Sequence, residues 1–556
     1  MSSNLEEFLV THGSLGEQLP TSLSGERLFP IQLYDFPEER GFNHAWLVLD
    51  PKFPKGKAHI RLSKDAILRL PHVDSGGDLC ITEDPGPRSK ISAEDRINLL
   101  LNSFYLDYLG PWVSGKLDAD FEVESLNYWY IHVAQHSNEK CAINRIYITT
   151  DRSNSSKTYT GSLLQPHRIL LAGTNKDLAN RFIELKSLGM PKSQVVNVAV
   201  AEIPIDCEFT PHTWPSSQSS LLNLIQYRLS LTQLKEFSTP KKRGRQVNQV
   251  VILRSPKCNY GFHLSGGSPI VVHRGGSSRA FKMAKMYPLT VERIDPSWTY
   301  GRDQISEITD RQKLHIVVFG AGALGSPVIS QLAKAGIGRI SVVDSDYLSP
   351  ANIGRHELGA RQIGRSKAGE IAHKVGEHNP SVKLFPYIQD AESWLNQHSL
   401  SKVDAVVDLT GEPDVREHIE QARKENLCPL IIGWMEPYVA AAHACLLPSD
   451  RFWFKSNVDQ LGNLEAIDWP EDVIRHEPGC STQFQSYTSA AAAHAVALVT
   501  EGVICLIDNK VSTPVIRSWV RGRKFLDAHY KGLHYRSWAE GSSKFDGVSM
   551  ERSLHG

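Results

Sequence analysis

The 556-residue chain has no C-x-x-C pair, no net charge and no internal repeat. It also lacks an apolar run of membrane-spanning length that is free of titratable residues. Each absence excludes something. Without C-x-x-C spacing there is no local zinc clip, and eight scattered cysteines suit free thiols in a reducing compartment rather than a disulfide framework. With Lys+Arg and Asp+Glu balanced at 61 each, no electrostatic drive toward nucleic acid or an anionic membrane is expected. The N-terminal "MSSNLEEFLVTHGS" has no basic stretch ahead of an apolar core, so no signal peptide is read and a cytoplasmic protein is expected. The most apolar stretch, "SAAAAHAVALVTEGVICLI", is broken by His494 and Glu501 and reads as a buried helix followed by a strand or second helix.

What is present divides into three regions. Residues 1–150 open with a short amphipathic helix, then three strand-like runs, "LFPIQLYDF", "HAWLVLD" and "AHIRL". A helix follows, with Ser92 as N-cap and Ile97, Leu101, Phe104 and Tyr108 on one face. This is an α+β order. Residues 151–300 mix helical signal near 176–188 and 219–236 with strand-like "SQVVNVAVAEI", "QVVIL" and "PIVVHR". The basic "STPKKRGRQ" reads as a solvated linker. Residues 301–556 give an α/β pattern: "LHIVVF", "GAGALG", an apolar-periodic helix, then "RISVVDSD".

Two stretches carry chemistry. In the third region Gly320, Gly322 and Gly325 lie between a strand and a helix, with Asp344 at the end of the next strand. That is a nucleotide-binding fingerprint, with Asp344 placed for a ribose hydroxyl, and an NAD enzyme would share it. Asn352, Arg355 and Lys367 follow at once. A dinucleotide fold does not need these cations, whereas a triphosphate losing pyrophosphate does. The second stretch is "PHVDSGGDLC", residues 71–80, in which Cys80 ends a Gly-rich turn.

The ordered set G-x-G-x-x-G, D-x-D, N-x-x-R and G-x-x-K resembles the adenylation domain of ubiquitin-activating enzymes and the ThiF/MoeB adenylyltransferases. "YGRDQI", with Arg302, resembles the segment ahead of that family's first strand. The resemblance covers about 300 to 525. It implies a Rossmann-like, mainly parallel sheet, ATP and Mg²⁺, a homodimer in which Arg302 reaches the neighbouring site, and a protein C-terminus as substrate. The family's metal-binding Asp is replaced by Gly411, which leaves Asp408, Glu412 or Asp414, with Asp408 taken as the ligand. Cys480, in "HEPGCSTQF", falls where that family carries its thioester cysteine, and Cys445 reads as buried. "PHVDSGGDLC" is similar to the active-site segment of ubiquitin-conjugating enzymes, with His72 in place of the asparagine that stabilises the oxyanion.

The domain order resembles bacterial fusion proteins of CBASS anti-phage operons. That implies a cGAS/DncV-like nucleotidyltransferase as donor protein and lysine-bearing targets. A sulfur-carrier activator, an NAD-dependent oxidoreductase and an inactive nucleotide-binding scaffold remain the alternatives.

Overall fold

The computed structural model describes all residues except 1, 34–43, 81–83, 88–89, 137–143, 150–153, 166–168, 188–193, 239–248, 266–270, 273–277, 280–284, 455–457, 471–472, 474, 477–482, 485–486 and 555–556. Most of the basic linker and Cys480 therefore lie outside the described residues. The chain divides into two compact units: Met1–Ala179 with Ser187–Arg293, and Asn180–Lys186 with Ile294–Gly556. Regions 1–150 and 151–300 thus fall largely within one unit.

In the first unit, helix α1 (Ser2–Thr11) precedes an antiparallel meander of β1 (Arg27–Pro30), β2 (Ala45–Leu49) and β3 (Ala58–Leu62). Alternation in β3 buries Ala58, Ile60 and Leu62 and leaves His59 and Arg61 outward. Helix α2 (Ala93–Ser103) starts where the Ser92 side chain accepts the Asp95 N–H at 3.0 Å. Ile97, Leu101, Phe104 and Tyr108 are all buried, although a wider-pitch turn carries the helix through Phe104–Leu109. A buried ion pair fixes the start of this helix. Arg96 Nε donates to Asp84 at 2.7 Å, and its remaining N–H groups reach the Pro54 and Gly56 carbonyls.

The second half of this unit is a closed barrel, which the sequence reading did not foresee. Its strands are β4 (Arg145–Ile148), β5 (Lys157–Gln165), β6 (Ile169–Ala172), β7 (Gln194–Pro204), β8 (Gln249–Arg254), β9 (Asn259–Ser265) and β10 (Lys285–Arg293), ordered β10-β4-β6-β5-β7-β8-β9. β10 closes the ring by pairing with both β4 and β9. Helix α3 (Ser125–His136) packs on the barrel. Its Trp129 is fully buried, meets Tyr260 edge-on and donates its indole N–H to the Leu289 carbonyl at 2.8 Å. One hydrophobic cluster runs from Leu5 through Tyr128 into Phe262 and Leu264, which is why no boundary in contacts appears at 150.

The second unit is an eight-stranded sheet. Its strands are β11 (His315–Phe319), β12 (Arg339–Val343), β13 (Lys383–Tyr387), β14 (Ala405–Asp408), β15 (Leu430–Met435), β16 (Ala441–Leu447), β17 (Val515–Arg521) and β18 (Gly547–Ser553). The order is β13-β12-β11-β14-β15-β16-β17-β18. The first five strands are parallel and the last three antiparallel. Both faces of the central strands are buried: Ile316 and Val318 join one cluster, Val317 and Phe319 the other. Helices α4 (Gly325–Lys334), α5 (Lys367–His378) and α6 (Pro413–Glu425) follow β11, precede β13 and follow β14 respectively. The stretch expected to break into two elements is instead one helix, α7 (Ser489–Ile507). Its Ala495, Val499 and Val503 face belongs to the core with Val328 and Ala444. It is long and apolar enough to cross a membrane by length and composition alone.

Candidate active sites

Chain order moves outward in one direction from β11 to β12 and β13, and in the other to β14 and β15, so the switch point lies between β11 and β14. Ligands of parallel α/β sheets bind outside the strand C-termini at such a point. A cavity of about 430 Å³ opens there. The three glycines divide the work of shaping it. Gly320 turns the chain at φ +87°, where a side chain would also press on the Leu409 carbonyl carbon at 3.0 Å. Gly325 packs its helix start against the Gly320 carbonyl, with no room for a Cβ. Gly322 faces open space on the cavity wall. Backbone, not side chain, therefore meets a ligand at the positive end of α4.

Across the cavity stand Asn352, Arg355, His356 and Lys367. Lys367 is the first residue of α5, where the helix dipole disfavours a cation. Asp346 offsets this, accepting from Nζ at 2.7 Å. Arg355 lies over the Tyr487 ring at 4.9 Å. Asn352 caps its own short turn by accepting the Ser349 N–H at 3.0 Å.

His356 was not singled out from sequence. Its Nδ1 accepts the Leu358 N–H at 3.0 Å, so Nε2 carries the proton and donates to the Ala321 carbonyl at 2.6 Å. Burial lowers its pKa to about 4, so it is neutral and braces the glycine loop without adding charge. The available signal was its place directly after Arg355.

Two expected residues sit elsewhere. Asp344 does not line the cavity. Its carboxylate accepts the Ala321 N–H at 2.6 Å and the Asp346 N–H at 2.8 Å, so it holds the loop from behind. Burial pushes its pKa up against those two bonds. Asp408, expected as the metal ligand, is corrected by the structure: it is buried below the wall. One oxygen accepts from Thr410, and the other, without a hydrogen bond, faces Arg416 at 3.8 Å, a poor setting for a dication. Glu412, two residues past Thr410, is the carboxylate on the cavity wall. Cys445 is fully buried on β16, and burial raises its thiol pKa strongly.

The second site is in the other unit. The loop 72–80 closes through a Val73–Leu79 bridge, and Asp74 accepts the Gly76 and Asp78 N–H groups at 2.7 and 2.8 Å. Gly77 takes φ +92°, and a Cβ there would press on the Leu62 carbonyl oxygen at 2.7 Å. The loop ends on an exposed Cys80. His72, strained at φ +60°, lies beside it. Cys80 Sγ is 3.2 Å from the His72 carbonyl oxygen and 3.9 Å from Nδ1. Two carboxylates from the segment after α2 clasp the same ring: Asp120 Oδ2 lies 2.9 Å from Nε2 and Glu124 Oε1 3.3 Å from Nδ1. The Cys80 contact, then Asp120 and Glu124, raise the imidazole pKa to about 9 against the opposing effect of burial. His72 is therefore an imidazolium at neutral pH. Asp120, Glu124 and Tyr128 were not read from sequence, since nothing local marks residues 40 to 56 positions away.

Residues 302–444 match the ThiF family. The ThiF match starts at Arg302, which is exposed, covers the Trp298 ring at 4.8 Å and does not line the cavity of its own chain. Among curated relatives, the chain is similar to the ATP-dependent ubiquitin transferase-like protein Cap2 of Pseudomonas aeruginosa, at 27% identity over 302 residues, covering 51% of this chain and 52% of that one. It is also similar to the adenylyltransferase and sulfurtransferase UBA4 of Yarrowia lipolytica, at 34% over 138 residues, covering 24% of this chain and 35% of that one. The chain thus spans about half the length of the first relative and about a third of the second. Among solved structures, E. coli MccB with ATP aligns at a TM-score of 0.30 and 17% identity, over 41% of this chain and 65% of that one, too distant to carry an argument.

Proposed function

We propose that the chain is an ATP-dependent ubiquitin-like transferase. The observation that carries this reading is the wall opposite the glycine loop, where Asn352, Arg355 and Lys367 converge at the sheet's switch point. The carboxylate of a protein C-terminus attacks the α-phosphorus of ATP. A phosphorus–oxygen bond forms, and the bond to the β-phosphate breaks with its electrons leaving on pyrophosphate. Lys367 and Arg355 neutralise charge on the departing group, and Gly322 lets phosphate oxygens approach the backbone. A Mg²⁺ ion, held by phosphates and by Glu412 with Thr410, would screen the same charge. Asp344 and His356 act indirectly, as positioning residues for the loop.

Cys480 then takes the acyl group as a thioester, releasing AMP, and Cys80 takes it from Cys480. A lysine of the target, arriving as ammonium and losing a proton to solvent, attacks the Cys80 thioester as the neutral amine. A carbon–nitrogen bond forms, the carbon–sulfur bond breaks with its electrons on Cys80 sulfur, and the second amine proton goes to that thiolate. Asp120 and Glu124 supply negative charge beside an incoming ammonium. His72 fills the oxyanion role of a ubiquitin-conjugating-like site. Arg302, exposed and outside its own chain's cavity, suits a homodimer in which it serves the neighbour. The likeness to Cap2, an ATP-dependent ubiquitin transferase-like protein, supports the transferase part of this reading. A cGAS/DncV-like nucleotidyltransferase as donor in cytoplasmic anti-phage defence, with no nucleic acid or membrane partner, completes the proposal on the domain order and balanced charge of the sequence. A sulfur-carrier adenylyltransferase is the second reading, favoured by the higher identity to UBA4 across the matched segment.

ATP–pyrophosphate exchange with a cognate donor tests the first step: Lys367→Ala and Arg355→Ala should each lose about 10²-fold or more. Wild-type exchange in both would overturn it. Non-reducing gels test the relay. Cys480→Ala should make acyl-adenylate and load neither thiol, whereas Cys80→Ala should load Cys480 and release no isopeptide product. A Cys80 adduct in Cys480→Ala would break the order. Full conjugation by Cys80→Ala would remove Cys80 from the relay, whereas exchange with no isopeptide product from the wild-type protein would favour the sulfur-carrier reading.

A further inference from the structure

The clasp around Cys80 gathers a set of side chains that could hold a metal ion. A thiol, an imidazole and a carboxylate, from Cys80, His72 and Glu124, place one ligand atom each within 4.8 Å of one another. Tetrahedral zinc with bonds of about 2.3 Å to sulfur and about 2.05 Å to nitrogen or oxygen requires ligand separations of roughly 3.6 Å for S···N and roughly 3.3 Å for N···O. The observed separations are 3.9 Å between Cys80 Sγ and His72 Nδ1, 3.3 Å between Nδ1 and Glu124 Oε1, and within 4.8 Å between Sγ and the Glu124 carboxylate, so the sulfur and carboxylate need only draw together to close round the ion.

The surroundings match as well. Metal-bound histidines hand their other ring nitrogen to a carboxylate, and ligating carboxylates are themselves hydrogen-bonded. Here Nε2 is held by Asp120 at 2.9 Å, and the second Glu124 oxygen accepts the Tyr128 hydroxyl at 2.8 Å. Tyr128 in turn accepts the His72 backbone N–H at 2.8 Å, which fixes the strained residue. Three protein ligands and an exposed sulfur leave the fourth position to water.

We propose that Cys80, His72 and Glu124 form a reversible Zn²⁺ site that locks the thiol. The metal forms bonds to Sγ, Nδ1 and Oε1, and the protons of the thiol and of Nδ1 go to solvent, with no change of oxidation state. Because the metal and an acyl group need the same sulfur, occupancy by one excludes the other. The site goes beyond the transferase reading and stands without it, since it needs only the fold of the first unit.

The test uses the reduced full-length protein and the metal alone. Zn²⁺ titrated against a chromophoric chelator should reveal a site that Cys80→Ser and His72→Asn each weaken by about 100-fold or more. Asparagine tolerates the left-handed backbone of residue 72, so the second variant keeps its fold. Asp120→Asn, which supplies no ligand atom and changes only the partner of His72 Nε2, should weaken binding by about 10- to 100-fold. Cys207→Ser, at another exposed thiol, should change nothing. Co²⁺ in place of Zn²⁺ should give a thiolate charge-transfer band that Cys80→Ser abolishes, and Zn²⁺ should protect Cys80 from alkylation until a chelator is added. Unchanged affinity in both Cys80→Ser and His72→Asn, or alkylation of Cys80 at the same rate with and without Zn²⁺, would overturn the site. Neither result bears on pyrophosphate exchange, which tests the transferase reading separately.

Discussion

At the nucleotide cavity the backbone does most of the shaping: Gly320, Gly322 and Gly325 turn, open and close one short loop between β11 and α4. At Cys80 the side chains do it. His72 is held by Asp120, Glu124 and Tyr128, which come from a different part of the chain. A backbone site depends on a few residues having no side chain, so it announces itself as a spacing of glycines. A side-chain site depends on polar groups meeting across the fold. It is therefore sensitive to pH and to single charge changes in a way the first is not.

The largest effect that separates the two should come from Arg96. It is buried against Asp84 just beyond the Cys80 loop, and removing one partner leaves an uncompensated buried charge. Arg96→Ala should destabilise the first unit by about 3–5 kcal/mol, visible as a lowered first transition in thermal unfolding of the full chain. ATP–pyrophosphate exchange measured below that transition should survive. Equal loss of both would show that the sites are not separable.

Next is Lys367→Ala, a loss of about 10²-fold in exchange, or about 2.7 kcal/mol of barrier, with Cys80 alkylation unchanged. If alkylation also slowed, the cavity and the thiol would share more than a chain.

The third effect is a pH dependence above about pH 6.5 that only the side-chain site should show. His72 has its pKa raised from the ordinary imidazole range to about 9. Its contribution to stability is complete below the unfolded value, about 6.5, and is lost as pH rises through 9. Wild type should lose stability over that window, and His72→Asn should be flat across it. The neutral His356, lowered to about 4 by burial, has the opposite sign: stability on its account falls only as pH drops below about 6.5. Unfolding midpoints between pH 6 and 10 for wild type and His72→Asn decide this. Parallel curves would remove the imidazolium from the account.

The smallest effect is at Tyr487, whose ring lies under Arg355. Tyr487→Leu should weaken ATP binding by about 1 kcal/mol, a few-fold in Kd by calorimetry. A loss as large as that of Lys367→Ala would mean that the tyrosine touches the nucleotide itself.

Local chemistry made much of this molecule legible. The Ser92 cap, the apolar face of α2 and the turn at Asp74–Gly77 follow from rules that act within about one helical turn, and the structure shows each of them. So do the glycine loop and the cations Arg355 and Lys367 on the cavity wall. α7 was read as two elements because His494 and Glu501 interrupt its apolar run. At those points the helix instead has outward positions, His494 stacking on Trp519 at 3.9 Å.

The sequence by itself determined the glycine turn, the strand–helix order of the second unit and the place of Cys80 at the end of a loop, because these depend on φ/ψ preference and periodicity over a few residues. Only the tertiary structure decided that the middle region closes into a barrel and that Asp408 lies beneath the cavity wall. It alone brought residues 72, 80, 120, 124 and 128 around one imidazole. Those outcomes depend on which distant segments share a core, and on how burial sets the charge of the groups left there. No spacing in the chain encodes either.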